Sequence, residues 1–187
     1  MNRLLIIGPP GAGKGTQAVK ISEQLSIPAI STGDIFRKNI KEETELGKEA
    51  KSYIDAGNLV PDSVTNNMVR SRLAEADAQD GFLLDGYPRN IEQVHELDTI
   101  LAENDQEIDL VLLLIADNDE LVERLLGRAA EQGRTDDNEE VIRHRLEVYE
   151  KETAPLLSIY RERGLIREVN GLGEINEVTD RLLAALK

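Results

Sequence analysis

The chain has 187 residues, of which 40% are hydrophobic and 3% aromatic, and its formal net charge is −14. This length is near that of one domain with a substantial core, and the acidic charge argues against partners such as nucleic acid or an anionic membrane. The sequence contains no cysteine, so we expect neither disulfides nor a zinc site. Its apolar runs are shorter than the ~20 residues of a membrane span and its start is a poor secretory signal, which predicts a soluble, cytoplasmic protein.

Apolar runs and helical spacings alternate along the chain. Continuous apolar runs predict strands, in chain order, at 3–8, 28–31, 81–88, 109–116 and 165–171. Between and after them, residues 14–25, 32–43 and 174–187 have helical character. Such alternation indicates an α/β fold with a parallel sheet covered on both faces. The order of the strands does not follow from this pattern.

Two polar segments do not fit a bare α/β layer. Residues 31–60 are mostly helical and end in a loop bracketed by Gly57 and Pro61, and residues 129–137 connect two helices. Both are candidates for mobile covers over a site.

The stretch IIGPPGAGKGTQ (6–17) matches the phosphate-loop pattern G-x-x-x-x-G-K-[ST] up to Lys14. Gly15 then stands where the pattern has a hydroxyl, and Thr16 comes one place late. Because a buried strand precedes the loop and a helix follows it, backbone N–H groups would surround a phosphate at the helix N-terminus. The alternative is a glycine-rich turn without a ligand.

Acidic and basic side chains follow the other strands. Asp85 ends a buried run, where it is a candidate metal-side carboxylate. Arg124 and Arg128 are four residues apart on one helix and share a face, although such a pair is also common on solvated surfaces. Arg143 and Arg145 are two apart, so at most one of them can face a cleft.

The chain contains, in this order, the motifs GPPGAGKGTQ, STGDIFR, GNLVPD, LLDGYPRNIEQ, GRTDD and RLEVYEKETAPL. In this it resembles the nucleoside monophosphate kinase family, and most of all the adenylate kinases, from Arg3 to the C-terminus. That family typically has G-K-G-T, which accounts for Gly15. The resemblance implies one P-loop NTPase-type domain (1–187) with a five-stranded parallel sheet, a helical NMP-binding insertion at 31–60 and a short lid at 128–138.

The resemblance also implies phosphoryl transfer from MgATP to AMP, giving two ADP, for adenine nucleotide homeostasis. The implied catalytic residues are Lys14, Asp85, Arg89, Arg124, Arg134 and Arg145. Those implied to bind ATP are Gly11, Ala12, Gly13, Lys14, Gly15, Thr16, Arg128 and Gly173. Those implied to bind AMP are Thr32, Arg37, Leu59, Val60, Gly86, Arg89, Gln93, Arg134 and Arg145. Mg²⁺ is implied to be held by phosphates and water, with Thr16 and Asp85 in its outer shell, and the Tyr87–Pro88 bond is implied to be cis.

Two other functions remain open at this point. A UMP/CMP kinase has the same fold, but Thr32 and Gln93 favour adenine by resemblance. A GTPase-like switch would need an N-K-x-D stretch, which the sequence lacks, and a Ser or Thr directly after Lys14. No apolar stripe stands out in the sequence, so we expect a monomer.

Overall fold

The computed structural model describes residues 2–55, 60–132 and 138–186. Within them, the strands are β1 (Asn2–Ile7), β2 (Ala29–Ser31), β3 (Gly81–Asp85), β4 (Leu110–Ile115) and β5 (Ile166–Asn170). The helices are α1 (Lys14–Leu25), α2 (Thr32–Lys41), α3 (Glu45–Asp55), α4 (Asp62–Leu73), α5 (Ile91–Ala102), α6 (Asn118–Gln132), α7 (Glu139–Val148), α8 (Ala154–Glu162) and α9 (Ile175–Ala185). A 3₁₀ turn lies at Ala76–Ala78, and a π-helical segment at Tyr149–Thr153 joins α7 to α8.

The strands form one parallel sheet in the order β2-β3-β1-β4-β5. This confirms the expected fold class and supplies the strand order. In the register of the sheet, Asp85 lies beside both Ile6 and Ser31. The loops that follow β1, β2 and β3 therefore leave the sheet at the same edge, where ligands of open parallel sheets bind.

The three central strands are buried on both faces because their side chains alternate between two cores. On β1, Leu5 and Ile7 belong to one core, whereas Leu4 and Ile6 belong to the other. Helices α4, α5 and α8 cover the first core, and α1, α6, α7 and α9 cover the second. Each fully buried aliphatic side chain stabilises the fold by about 1.5–3 kcal/mol, so the sheet fixes the positions of the loops at its edge.

Residues 31–60, expected as an insertion, contain α2 and α3. The two helices cross closely at Gly47, where a Cβ would lie 2.1 Å from the Asn39 carbonyl oxygen. Only a residue without a side chain fits such a crossing. Among the described residues, no helix is both long and apolar enough to cross a membrane.

Candidate active site

The loops at the carboxyl edge of the sheet enclose a cleft of about 700 Å³. The phosphate-loop wall, as we call it, consists of residues 8–16, backed by α6 and residues 171–173. The acceptor wall consists of Thr32, Asp62 and residues 86–93. The end of α7 and the π-helical segment contribute further lining residues.

The phosphate loop turns sharply between β1 and α1. Gly11 has φ +86° and packs against α6 so closely that a Cβ would lie 2.9 Å from Leu125 Cγ. The Ala12 N–H donates to the Pro9 carbonyl (3.2 Å) inside the turn. Glycine is therefore required at position 11 both by the left-handed backbone and by the close approach of the loop to α6.

The N-terminus of α1 has no side-chain cap. Its N-cap residue is Gly13, and the first turn of the helix contains no acidic residue. By contrast, the Ser31 and Asn90 side chains accept hydrogen bonds from the first turns of α2 and α5, at 3.4 and 2.9 Å. An uncapped helix N-terminus presents N–H donors and the positive end of the helix dipole, and both favour an anion.

Lys14 and Asp85 form an ion pair that connects the phosphate loop to the end of β3. Asp85 is 8% exposed, so the Lys14 ammonium group lies against a carboxylate that is largely shielded from water. Lys14 also lines the cleft. It can therefore present its ammonium group to a phosphate while Asp85 stays close by.

The Arg124 guanidinium group holds the back of the phosphate-loop wall. It donates to the carbonyl oxygens of Gly11 (3.1 Å), Gly171 (3.4 Å) and Gly173 (3.4 Å). The planar, multidentate guanidinium group suits three acceptors from two separate loops. Arg124 therefore positions the phosphate loop relative to the loop between β5 and α9.

Directly after β3, Gly86 shapes the acceptor wall. It has φ +88°, which ends the strand at Asp85, before the predicted end at 88. A Cβ there would lie 2.9 Å from Thr32 Oγ1, and the Thr32 hydroxyl donates to the Gly86 carbonyl (3.4 Å). The Tyr87–Pro88 peptide bond that follows is cis, as the resemblance implied.

Gln93 is 5% exposed and lies at the centre of a hydrogen-bond network in this wall. Its Oε1 accepts from the Arg89 N–H (2.7 Å), and its Nε2 donates to Asp62 Oδ1 (2.9 Å). The Arg89 guanidinium group is exposed and donates through Nε to the Gly86 carbonyl (3.1 Å). Backbone and side chain of Arg89 are thus held separately, and the residue lines the cleft.

The π-helical segment closes the cleft beside Arg89. The Thr153 hydroxyl donates to the Arg89 carbonyl (3.1 Å), and Tyr149 both lines the cleft and packs against the first core. Burial raises the pKa of Tyr149 to about 12, so its hydroxyl stays protonated at neutral pH. Tyr149 therefore belongs both to the core and to the cleft lining.

The described residues contain no cluster of three or more His, Cys, Asp or Glu side chains arranged to hold a metal ion. Magnesium, however, usually binds through one or two carboxylates, substrate phosphates and water rather than an all-protein cage. Asp85 Oδ2 would lie 3.8 Å from a Cβ on Gly15, so one buried carboxylate adjoins the phosphate loop. This donor set fits Mg²⁺ that arrives with a phosphate ligand.

Comparison with known proteins agrees with this geometry. A family model described as adenylate kinase matches residues 6–165. The chain belongs to the adenylate kinase family. The adenylate kinase of Kocuria rhizophila is 67% identical over the full length of both chains, and that of Pseudarthrobacter chlorophenolicus is 62% identical over all of this chain and 97% of its own. That of Thermobifida fusca is 56% identical, covering 99% of this chain and 98% of its own.

Membership of the adenylate kinase family confirms the resemblance drawn from the motifs. It also places the chain in a family of phosphotransferases and supports adenylate kinase over the UMP/CMP kinase alternative. The roles of individual residues remain predictions, and the structure shows where each one lies.

Several residues predicted for the adenylate kinase site line the cleft: Lys14, Thr32, Val60, Gly86, Arg89, Gln93 and Arg145. As the spacing predicted, Arg143 and Arg145 do not both face the cleft: Arg143 pairs with Glu139 and Asp119 instead. The Gly173 carbonyl oxygen accepts a hydrogen bond from Arg124, behind the phosphate-loop wall.

Other predicted residues are not among those that line the cleft directly, or they fall outside the described residues. Arg37 is exposed and pairs with Asp34, its guanidinium group beside Gly33 of the cleft wall. Thr16 and Arg128 are exposed on α1 and α6. Leu59 and Arg134 fall outside the described residues, so the predictions for them stay as they were.

Further residues line the cleft that were not predicted from the sequence, among them Asp62, Asn90, Thr153 and the exposed His144. One signal was available: Asn90 followed by Gln93 has the spacing of a capping box. The structure uses half of that motif, since the Asn90 side chain caps α5 while Gln93 Oε1 accepts from Arg89 instead.

Proposed function

We propose that this chain transfers the γ-phosphoryl group of MgATP to AMP, producing two ADP. The observation that carries the proposal is the continuity of the cleft, which joins Lys14 of the phosphate loop to Thr32 and Gln93 of the acceptor wall. One nucleotide bound at each wall would meet the other phosphate to phosphate.

The reaction needs no general base. A phosphate oxygen of AMP, largely ionised near pH 7, forms a bond to the γ-phosphorus of ATP, and the bond from that phosphorus to the β–γ bridging oxygen breaks. Catalysis then depends on alignment and on neutralising charge. The described cations that line the cleft, Lys14, Arg89 and Arg145, suit this task.

We assign the phosphate-loop wall to ATP and the acceptor wall to AMP. The uncapped N-terminus of α1 and Lys14 would hold the ATP phosphates, Arg89 and Arg145 the AMP phosphate, and Gln93 the AMP base. Mg²⁺, with Asp85 and Thr16 near its outer shell, supplies further charge neutralisation when bound. The segments 31–60 and 128–138 would cover the site and exclude water, which would otherwise accept the phosphoryl group.

A panel of acceptors tests the proposal. Purified protein is incubated with ATP and Mg²⁺ and with AMP, CMP, UMP or no acceptor, and the nucleotides are separated and quantified. We expect two ADP for each AMP consumed and little ATP loss without an acceptor. Strong turnover of CMP, or ATP hydrolysis that AMP does not alter, would contradict the assignment.

We further propose that the protein is a cytoplasmic monomer. Large exposed hydrophobic residues of the described chain, such as Val19, Ile91 and Ile115, lie on different elements rather than in one patch, and larger patches mark most interfaces. Light scattering coupled to gel filtration should give a mass near 20.8 kDa.

A further inference from the structure

A directed chain of hydrogen bonds runs through the acceptor wall. The Gln93 backbone N–H donates to Asn90 Oδ1 (2.9 Å), and Asn90 Nδ2 donates to both oxygens of Asp62 (3.3 and 3.5 Å). Gln93 Nε2 donates to the same carboxylate (2.9 Å), and Gln93 Oε1 accepts from the Arg89 N–H (2.7 Å). The two side-chain amides are thus connected through one carboxylate.

The direction of this chain cannot reverse. Both of its ends are backbone N–H groups, which only donate, and the ionised Asp62 at its centre only accepts. If the Gln93 amide turned over, Oε1 would face the carboxylate and Nε2 would face the Arg89 N–H. Both hydrogen bonds would be replaced by repulsive contacts in a buried position.

We propose that Asp62 is a positioning residue for substrate choice: through Gln93 it makes the cleft select a 6-amino purine and reject a 6-oxo purine. This inference rests on the proposed function, since it takes a purine monophosphate as the acceptor and Gln93 as the group that meets its base. It extends that function by naming the residue that fixes how the base is distinguished.

The selection follows from the donor and the acceptor of the Gln93 amide that the protein does not use. After its two bonds to protein, the amide keeps one acceptor site on Oε1 and one hydrogen on Nε2. Adenine matches this pair, because its 6-amino group donates and its N1 accepts. Hypoxanthine, the base of IMP, has the reverse pattern, since its O6 accepts and its N1–H donates. Two mismatches in a buried site discriminate strongly, on the order of 10²-fold or more.

A merely structural role for Asp62 predicts a different outcome. Asp62 also stands in the first turn of α4, where a carboxylate favours the helix dipole. Loss of that contribution would weaken the fold, or the use of all acceptors, without changing the ratio between AMP and IMP. The ratio therefore separates the two roles.

The test compares kcat/KM for AMP and for IMP in the wild-type protein and in Asp62→Asn. An asparagine at this position can donate as well as accept, so it removes one of the two constraints on the Gln93 amide and leaves the Arg89 N–H as the other. We expect the AMP/IMP ratio to fall at least tenfold, mainly through a gain with IMP. A ratio that stays within tenfold of the wild type overturns the inference. Asp80→Asn, which removes the same charge at an exposed position in the turn before β3, should leave the ratio unchanged.

A double-mutant cycle shows whether Asp62 acts through Gln93. In a Gln93→Leu background, Asp62→Asn should no longer change the ratio; a further tenfold change there would contradict the inference. If Asp62→Asn unfolds below the assay temperature, Asp62→Ser replaces it, since a hydroxyl also donates and accepts. Wild-type turnover with AMP tests the proposed function by itself, so its failure is distinguishable from a failure of this inference.

Discussion

In the phosphate-loop wall the bonded groups are mainly those of the backbone, whereas in the acceptor wall side chains bond to one another. In the former, Arg124 grips three carbonyl oxygens, and the N–H groups at the start of α1 have no side-chain partner. In the latter, Asp62, Asn90 and Gln93 bond to one another. Backbone donors and cations suit any triphosphate, but an ordered set of amides and a carboxylate can distinguish one base from another.

The largest expected effect comes from removing the cation of the phosphate-loop wall. Lys14→Ala should lower kcat by about 10²–10³-fold, or ~3–4 kcal/mol of transition-state stabilisation, because a charge clamp is lost in a site that excludes water. The measurement is steady-state ADP formation. Lys20→Ala on the same helix should stay near the wild type, and a normal kcat for Lys14→Ala would remove Lys14 from the mechanism.

Arg145 and Arg143 offer a matched pair on α7. Arg145 lines the cleft, whereas Arg143 pairs with Glu139 and Asp119 on the outside. We expect Arg145→Ala to lower kcat/KM for AMP about 10²-fold and Arg143→Ala to change it less than twofold, since exposed ion pairs contribute little. Equal losses in both variants would show that the effect comes from α7 stability rather than from the cleft.

Comparing Gly86→Ala with Gly164→Ala distinguishes the effect of backbone strain from the effect of a close contact in the acceptor wall. Both have positive φ (+88° and +72°), but a Cβ on Gly86 meets Thr32 whereas a Cβ on Gly164 meets nothing within 4 Å. Gly164→Ala should lower the free energy of unfolding by about 1–2 kcal/mol. Gly86→Ala should lose more than that and also raise KM for AMP roughly tenfold, because Thr32 must move. Chemical denaturation and AMP titrations give the two quantities, and an unchanged KM would contradict a role for Thr32.

The smallest effect is expected behind the phosphate-loop wall, where α9 braces α1. The buried Thr179 hydroxyl donates to Gln17 Oε1 (2.6 Å), and Gln17 Nε2 donates to the Ile175 carbonyl (3.0 Å). Thr179→Val leaves Gln17 Oε1 without this donor, so we expect a loss of about 1–2 kcal/mol, or a Tm lower by roughly 2–8 °C, with little change in kcat. Thr99→Val, at an exposed position of α5, should leave Tm within about 2 °C.

The phosphate-loop wall could be predicted well from the sequence, and the acceptor wall less so. An apolar run, a glycine loop and a helix are local features, so β1, the loop and α1 are found with their boundaries nearly unchanged. Helical spacing predicted that at most one of Arg143 and Arg145 faces the cleft, and the resemblance implied Arg145. Asp62 and Gln93, in contrast, are 31 residues apart and meet only because α4 and α5 pack together. No local pattern encodes such a pairing, and the same holds for Thr179 and Gln17.

The close crossing at Gly47 bears on how the protein moves. Because α2 and α3 are joined there backbone to backbone, they form one packed piece, and among the side chains of α2 only Thr32 is buried. Swinging this piece away from the sheet would uncover Ile35, which packs partly buried against the first core, whereas opening β1, β3 or β4 would expose both cores. Amide hydrogens of α2 and α3 should therefore exchange with solvent through a low-energy local opening, and those of the central strands through global unfolding.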